Sequence, residues 1–339
     1  MTQTSGRPAT LADIAREAGT SPSTASRALS GRGYVSPLVR ARLLAAAERL
    51  GYVANASART LKQRTSRVVG VVVSDLGNQF YALLASGIGQ ALREGGYQML
   101  LLGDNNESAE ELAAARTFLA MRAAGVIMTP VGREASALLS SQGVAVVEVD
   151  RQLADVPCDA VVTDNERGAR EATTHLLESG HRRIGLLVID SELTSDLGRL
   201  RGFRAAHADA GVAVDERLVV RIPPHAADAE GRIGALLDER APSAIFAANN
   251  LLAEQAWNVL RRRGVTVPHE LSLVGFDDVP WMTMVEPAIT VVAQPTVEIG
   301  RRAALLLLRR ADDPTLPPAL VCLEPTLIVR ASTAAPPAT

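Results

Sequence analysis

The chain has 339 residues, 47% of them hydrophobic and 21% charged, which is enough for more than one domain with a sizeable core and excludes global disorder. No run approaches the roughly eighteen uncharged apolar residues of a membrane span, and the polar start (MTQTSG) is unlike a signal peptide, so a cytoplasmic protein with no membrane partner is expected. The two cysteines, Cys158 and Cys322, stand far apart without metal-ligand spacing; neither a disulfide framework nor a metal site is indicated, and both are expected to be buried, inert thiols.

The near-neutral total of −2 hides an asymmetry, because residues 1–66 hold ten basic side chains against Asp13, Glu17 and Glu48, a balance of +7 that leaves −9 to the remainder. A compact basic module on an acidic body is the layout expected when one end meets phosphate. Its bland alternative is a solvated basic surface.

Thr10 followed by Asp13 reads as a helix cap with an acidic N3 residue, starting a helix whose Leu11, Ile14, Ala15 and Ala18 share one face until Gly19 stops it. Ser21 caps a second helix with Pro22 at its first position; Ala25, Ala28 and Leu29 face inward, so Ser23, Thr24 and Arg27 point outward. Ser36 and Pro37 repeat the signal before a third helix with Val39, Leu43, Ala46 and Leu50 as its apolar stripe. The result is a three-helix, helix-turn-helix headpiece.

The run from Thr10 to Leu29 (TLADIAREAGTSPSTASRAL), with Tyr34-Val-Ser36 and Leu50-Gly-Tyr52 after it, closely resembles the LacI/GalR repressor family. The resemblance implies that Pro22, Ser23 and Arg27 read base edges in the major groove, while Thr20, Ser21, Thr24, Ser26 and Tyr34 contact phosphates; Thr10 joins them as a DNA-binding candidate. Arg27 has the bidentate chemistry for guanine, whereas Pro22 offers only apolar contact. The stretch Asn55-Ala-Ser-Ala-Arg-Thr-Leu-Lys62 has a capping residue but is too short to be helical alone. In the family it is a hinge helix in the minor groove, which gives Asn55, Arg59 and the wedge residue Leu61 as candidates, and Ala54 stands where proline is common. The alternative for Leu61 is packing on the body.

From Val68 onward short apolar runs alternate with amphipathic stretches: 68–73, 98–102, 125–128, 144–149, 183–189, 243–247 and 271–274. Such alternation indicates parallel sheets with crossover helices, here two doubly wound lobes of an α/β body, and places ligands beyond the carboxyl ends of strands. This part resembles the type I periplasmic sugar-binding fold that the family carries as its effector domain. The carrying motifs are GVVVSDLGNQFY (70–81), DNERG (164–168), GHRRIG (180–185), RLRGF (199–203), Ala248-Asn249 and VGFDD (274–278).

The resemblance implies Ser74, Asp75, Phe80, Arg199, Asn249 and Asp277 as ligand-binding residues, with side chains suited to a polyol. Surface charge for Arg199 and Asp277, core filling for Phe80 and a helix cap for Asn249 are the alternatives. Gln79 and Asn250 depart from the family's proline and aspartate, and the second removes a charge.

The boundaries read this way are 1–53 for the headpiece, 54–66 for the hinge helix or linker, 67–330 for the two-lobed ligand-binding and dimerisation domain, and 331–339 for a flexible tail. No GxSxG, HExxH or P-loop is present, and Gly87-Ile-Gly89 lacks the third glycine of a dinucleotide site, so no enzyme, catalytic residue or cofactor is expected. A transport-type binding protein shares the body but needs a secretion signal and no headpiece. The expected protein is a homodimeric repressor on near-palindromic double-stranded DNA, controlled allosterically by a sugar-like effector, a sugar or a related polyol or nucleoside.

Overall fold

The computed structural model describes residues 9–30, 33–52, 66–153, 157–224 and 226–336. The chain divides into two compact units, residues 1–66 and 67–339.

In the first unit helices α1 (Leu11–Glu17), α2 (Pro22–Ser30) and α3 (Pro37–Arg49) follow the local signals. Thr10 and Asp13 form a reciprocal capping box, the Thr10 amide donating to the Asp13 carboxylate at 2.9 Å; such caps contribute about 1 kcal/mol. Gly19 turns the chain at φ +60°, where a side chain is strained, and Arg42 of α3 donates to the Ala18 carbonyl at 2.6 Å, pinning the turn. Ser21 accepts the Thr24 amide at 3.2 Å and Ser36 the Val39 amide at 3.5 Å. The core is Ile14, Ala15, Ala18, Ala25, Ala28, Leu43 and Ala46, with Leu11, Leu29, Val39, Leu50 and Tyr52 around it. The apolar faces expected from the sequence are the ones buried.

The second unit is built on two six-stranded sheets. The first contains β1 (Val68–Val73), β2 (Gln98–Gly103), β3 (Gly125–Met128), β4 (Ala145–Asp150), β5 (Asp159–Thr163) and β11 (Leu320–Leu323), all parallel in the order β11-β5-β4-β3-β1-β2. The second contains β6 (Ile184–Ile189), β7 (Val219–Ile222), β8 (Ala244–Ala247), β9 (Ser272–Phe276), β10 (Thr290–Ala293) and β12 (Thr326–Ile328). Its order is β12-β10-β9-β8-β6-β7, parallel except for the β10–β12 edge. The chain therefore passes between the lobes after β5, after β10 and after β11. Each sheet carries an apolar cluster on both faces, as buried parallel strands require.

Helices α4 (Gln79–Glu94) and α12 (Thr296–Asp312) cover one face of the first sheet so closely that a Cβ at Gly87 would lie 2.0 Å from the Val297 carbonyl oxygen. Gly87 is thus a helix-packing glycine. Helices α7 (Asn165–Glu178) and α8 (Thr194–Asp209) lie against each other in the second lobe.

Two expectations are corrected. The segment after Arg330 is not a loose tail through residue 336: Ser332 is fully buried, its hydroxyl donates to the Leu273 carbonyl at 2.5 Å and accepts the Thr290 amide at 2.8 Å. The Ala334 carbonyl takes hydrogen bonds from His181 and Ser272. Long-range pairing with the second sheet, invisible in a short Ala/Thr/Pro stretch, orders it. Cys322 is exposed, because β11 is an edge strand whose alternate residues face outward; Cys158 is buried as expected.

Candidate functional site

The strand order in each sheet reverses beside β1 and beside β6, which opens a crevice at the carboxyl ends of the strands. Between the lobes these ends enclose a cavity of about 390 Å³, near the lower end of the roughly 300–1,000 Å³ typical of ligand pockets. Ser74 and Asp75 reach it from the turn after β1, Phe80 from the first turn of α4, Arg199 from α8, Asn249 from just beyond β8 and Asp277 from the end of β9. All six sequence candidates therefore meet in one space. Phe80 also belongs to the first lobe's core, and Asn249 also caps the helix α10 (Asn250–Arg262), accepting the Leu252 amide at 2.8 Å.

Sequence reasoning missed Arg151, Asp150, Asp196, Tyr81, Asn106 and Gln294, which share the lining. The only sequence signal for Asp150 and Arg151 was their place at the end of an apolar run. Arg151 is buried and held by four acceptors: Ser74 Oγ at 2.5 Å, Pro130 O at 2.6 Å, Asn106 Oδ1 at 3.1 Å and Thr129 O at 3.4 Å. Arg199 donates to Asn165 Oδ1 at 2.8 Å and to the Ala248 carbonyl at 2.6 Å while its guanidinium stacks 4.0 Å from the Phe276 ring. Asp277 accepts from Gln294 Nε2 at 2.6 Å.

Asp150 and Asp277 both adopt positive φ, 68° and 73°, and close strands that occupy the same place in the two sheets. Such conformations cost roughly 1–3 kcal/mol for a non-glycine residue and concentrate at functional sites. Burial raises the Asp150 carboxyl to about 6 against the pull of Arg151 and Arg199, and burial raises Asp277 as well. Tyr81 is pushed up to about 12, first by burial and then by Asp150.

On the headpiece, Ser21, Pro22, Ser23 and Arg27 are exposed at the start of α2, with Thr24 and Ser26 half-buried beside them. Tyr34 is 87% exposed, an unusual position for so large a ring in an unbound domain. Ser21 Oγ links to Ser23 Oγ at 2.8 Å and Thr24 Oγ1 at 2.9 Å, and Arg27 rests on the Ser23 carbonyl at 3.4 Å. Thr10 is engaged in its capping box, and the Thr20 hydroxyl is buried without a partner among the described residues. Asn55, Arg59 and Leu61 lie outside the described residues. Among the described residues no group of three or more His, Cys, Asp or Glu is placed to hold a metal, and no helix is long and apolar enough to cross a membrane.

A helix-turn-helix unit carried on a two-lobed parallel-sheet body with a polar cleft defines the class: a transcription regulator with a ligand-binding domain. Comparison with known proteins agrees. The profile described as "Bacterial regulatory proteins, lacI family" matches residues 10–55, and that of the "Periplasmic binding protein-like domain" matches 173–333. The chain is 32% identical over 330 residues to the HTH-type transcriptional regulator DegA of Bacillus subtilis, covering 96% of this chain and 98% of that protein. It is 36% identical over 337 residues to the HTH-type transcriptional regulator CelR of Thermobifida fusca, covering 95% and 98%.

Among solved structures, a transcriptional regulator CelR–cellobiose complex superposes with a TM-score of 0.73 at 34% identity, covering 96% of this chain and 100% of that one. A lac repressor dimer bound to operator and an anti-inducer superposes at 0.85, with 24% identity and coverage of 97% and 100%, a likeness of fold. The chain belongs to the LacI/GalR family of transcriptional regulators, DNA-binding proteins of the helix-turn-helix type.

Proposed function

We propose that this protein is a homodimeric repressor whose affinity for a near-palindromic operator is set by a sugar-like effector bound between the lobes of its second unit. The observation that carries the reading is the convergence of Ser74, Asp75, Phe80, Arg199, Asn249 and Asp277 on one cavity. Hydroxyl-binding groups and an aromatic face are the chemistry of polyol recognition. Relatives support it, since one related structure holds cellobiose and another, 27% identical, holds ribose.

In the headpiece, Arg27, Ser23 and Pro22 read base edges, Ser21, Thr24, Ser26 and Tyr34 hold phosphates, and residues 54–66 form a hinge in which Leu61 wedges between central base pairs. Effector binding changes the relative orientation of the lobes and couples to operator affinity by about 1–3 kcal/mol.

Fluorescence anisotropy of a labelled duplex from the region upstream of the gene tests this, with an unrelated duplex as competitor and a series of salt concentrations. The expected result is tight, salt-sensitive binding that survives the competitor and shifts about 5- to 150-fold with the effector. Equal weak binding to both duplexes, unchanged by sugars and at every promoter scanned, overturns the reading.

A further inference from the structure

The charges around the cleft are unevenly balanced. Four aspartates, Asp75, Asp150, Asp196 and Asp277, line the cavity with two arginines, Arg151 and Arg199. Each lobe contributes two of the acids and one of the bases.

Both arginines already give part of their donors to the protein. An anionic ligand is held best by two parallel nitrogens of one guanidinium fork. Arg151 gives Nε and Nη2 to protein oxygens, and Arg199 gives Nε and Nη1. Every fork of either side chain therefore includes at least one nitrogen that is already donating. Arg199 is further committed by its stacking on Phe276.

The acids are spread around the lining. Asp150 lies within electrostatic reach of Asp277 and Asp196 as well as of both arginines. Asp196 receives one hydroxyl, from Ser191 at 2.5 Å, and Asp75 receives one amide, from Gly77 at 2.7 Å. Each retains lone pairs for further donors, since an ionised carboxylate has about four acceptor positions. An anion entering this narrow space meets the carboxyl oxygens of four aspartates at reduced dielectric, whereas hydroxyl or ammonium hydrogens meet acceptors.

We propose that the cleft selects a ligand without negative charge, rich in hydroxyl or ammonium donors, and that Asp150, Asp196 and Asp277 exclude its phosphorylated or carboxylated counterparts. The proposal rests on the cleft being the effector site, and it deepens that reading by fixing the charge class of the effector.

Calorimetric titration of the full-length protein with charge-matched pairs tests it: glucose against glucose 6-phosphate and glucuronate, ribose against ribose 5-phosphate, galactose against galacturonate, with cellobiose and glucosamine as further donors. In each pair that binds, the anionic member is expected to be weaker by about tenfold or more. Asp196→Asn is expected to narrow that gap by admitting the anion. A phosphate or uronate that binds as tightly as its neutral partner overturns the charge selection and leaves the effector cleft standing. If no neutral, cationic or anionic sugar binds, the effector reading falls and the proposal falls with it.

Discussion

Asn78 and Asn250 meet across the cleft: Asn250 Nδ2 donates to Asn78 Oδ1 at 2.8 Å, joining the turn after β1 in the first lobe to the first residue of α10 in the second. The orientation of the Asn78 amide is fixed, because the same Oδ1 caps α4 by accepting the Phe80 amide at 3.0 Å. Only a donor can therefore face it. An aspartate at 250, usual in the family, would set a second acceptor against that oxygen, so the departure noted in the sequence creates this contact. A second bridge, from the Gln152 amide to Thr194 Oγ1 at 3.1 Å, joins the lobes elsewhere along the cleft.

Asn250→Asp is therefore expected to lower the melting temperature through loss of about 1–3 kcal/mol, the range for a hydrogen bond replaced by an unmatched buried polar group. It is also expected to change effector affinity by shifting the balance between open and closed lobes. Thermal unfolding with and without cellobiose measures both; an unaltered melting temperature would show that the bridge contributes nothing.

Arg310 and Asp159 form a bidentate pair at 2.8 and 2.8 Å, with side chains only 15% and 0% exposed. Arg310 also donates to the carbonyls of Leu316 and Pro317, tying α12 to the loop that leads into β11. Arg310→Ala leaves the Asp159 charge buried and is expected to cost about 3–5 kcal/mol in urea unfolding. Breaking the exposed Arg204–Glu216 pair is expected to cost less than about 1 kcal/mol. Equal small effects at both sites would refute the distinction.

Truncation after Arg330 is the test of the docked C-terminal segment. Ser332 exchanges backbone and side-chain hydrogen bonds with Leu273 and Thr290, and Ala334 with Ser272. At roughly 0.5–1.5 kcal/mol for each of these four bonds, the truncated protein is expected to lose about 2–6 kcal/mol of stability. A tail without contacts would lose none.

The pH dependence of stability follows from buried carboxylates in the first lobe. Burial raises Glu111 to about 7 and Asp104 to about 6, although Glu111 caps the Val131 and Gly132 amides at 2.9 and 3.0 Å. A carboxyl whose pKa is raised on folding holds its proton longer in the native state, so its stabilisation is complete below the unfolded pKa and is lost as pH rises through the folded one. His175, His181 and His207 are lowered, mainly by burial, and act in the opposite direction below their ordinary value near 6.5. Above about pH 6.5 Glu111 is the last of these groups to titrate, and stability is expected to fall until the pH passes about 7 and then to level off. Urea midpoints across that window measure it; Glu111→Gln should flatten the slope, and a wild-type midpoint that rises would contradict the assignment.

The sequence by itself determined everything that short-range chemistry controls. Thr10, Ser21 and Ser36 stand where helices must start, Gly19 where a chain must turn, and the alanine and leucine spacing of the headpiece names its buried faces. The seven apolar runs of the body became β1, β2, β3, β4, β6, β8 and β9, because strands covered on both faces are continuously apolar, the edge strand β2 being only half-buried. The resemblance placed six residues around the cleft.

Tertiary structure decided the rest. Strands β5, β7, β10, β11 and β12 were not among the apolar runs read from the sequence, and three of them, β7, β11 and β12, lie at sheet edges where one side of the strand is left without a neighbour. Arg151 and Asp150 acquire their place only because the carboxyl end of β4 opens on the cleft between the lobes, and Ser332 is ordered only by pairing with strands some 40 to 60 residues earlier. Gly87, weighed in the sequence only as part of an incomplete dinucleotide motif, shows its packing role once α12 is seen pressed against it. Local signals depend on neighbours in sequence and can be read from it, whereas burial, electrostatic pairing and close helix contact depend on neighbours that only folding supplies.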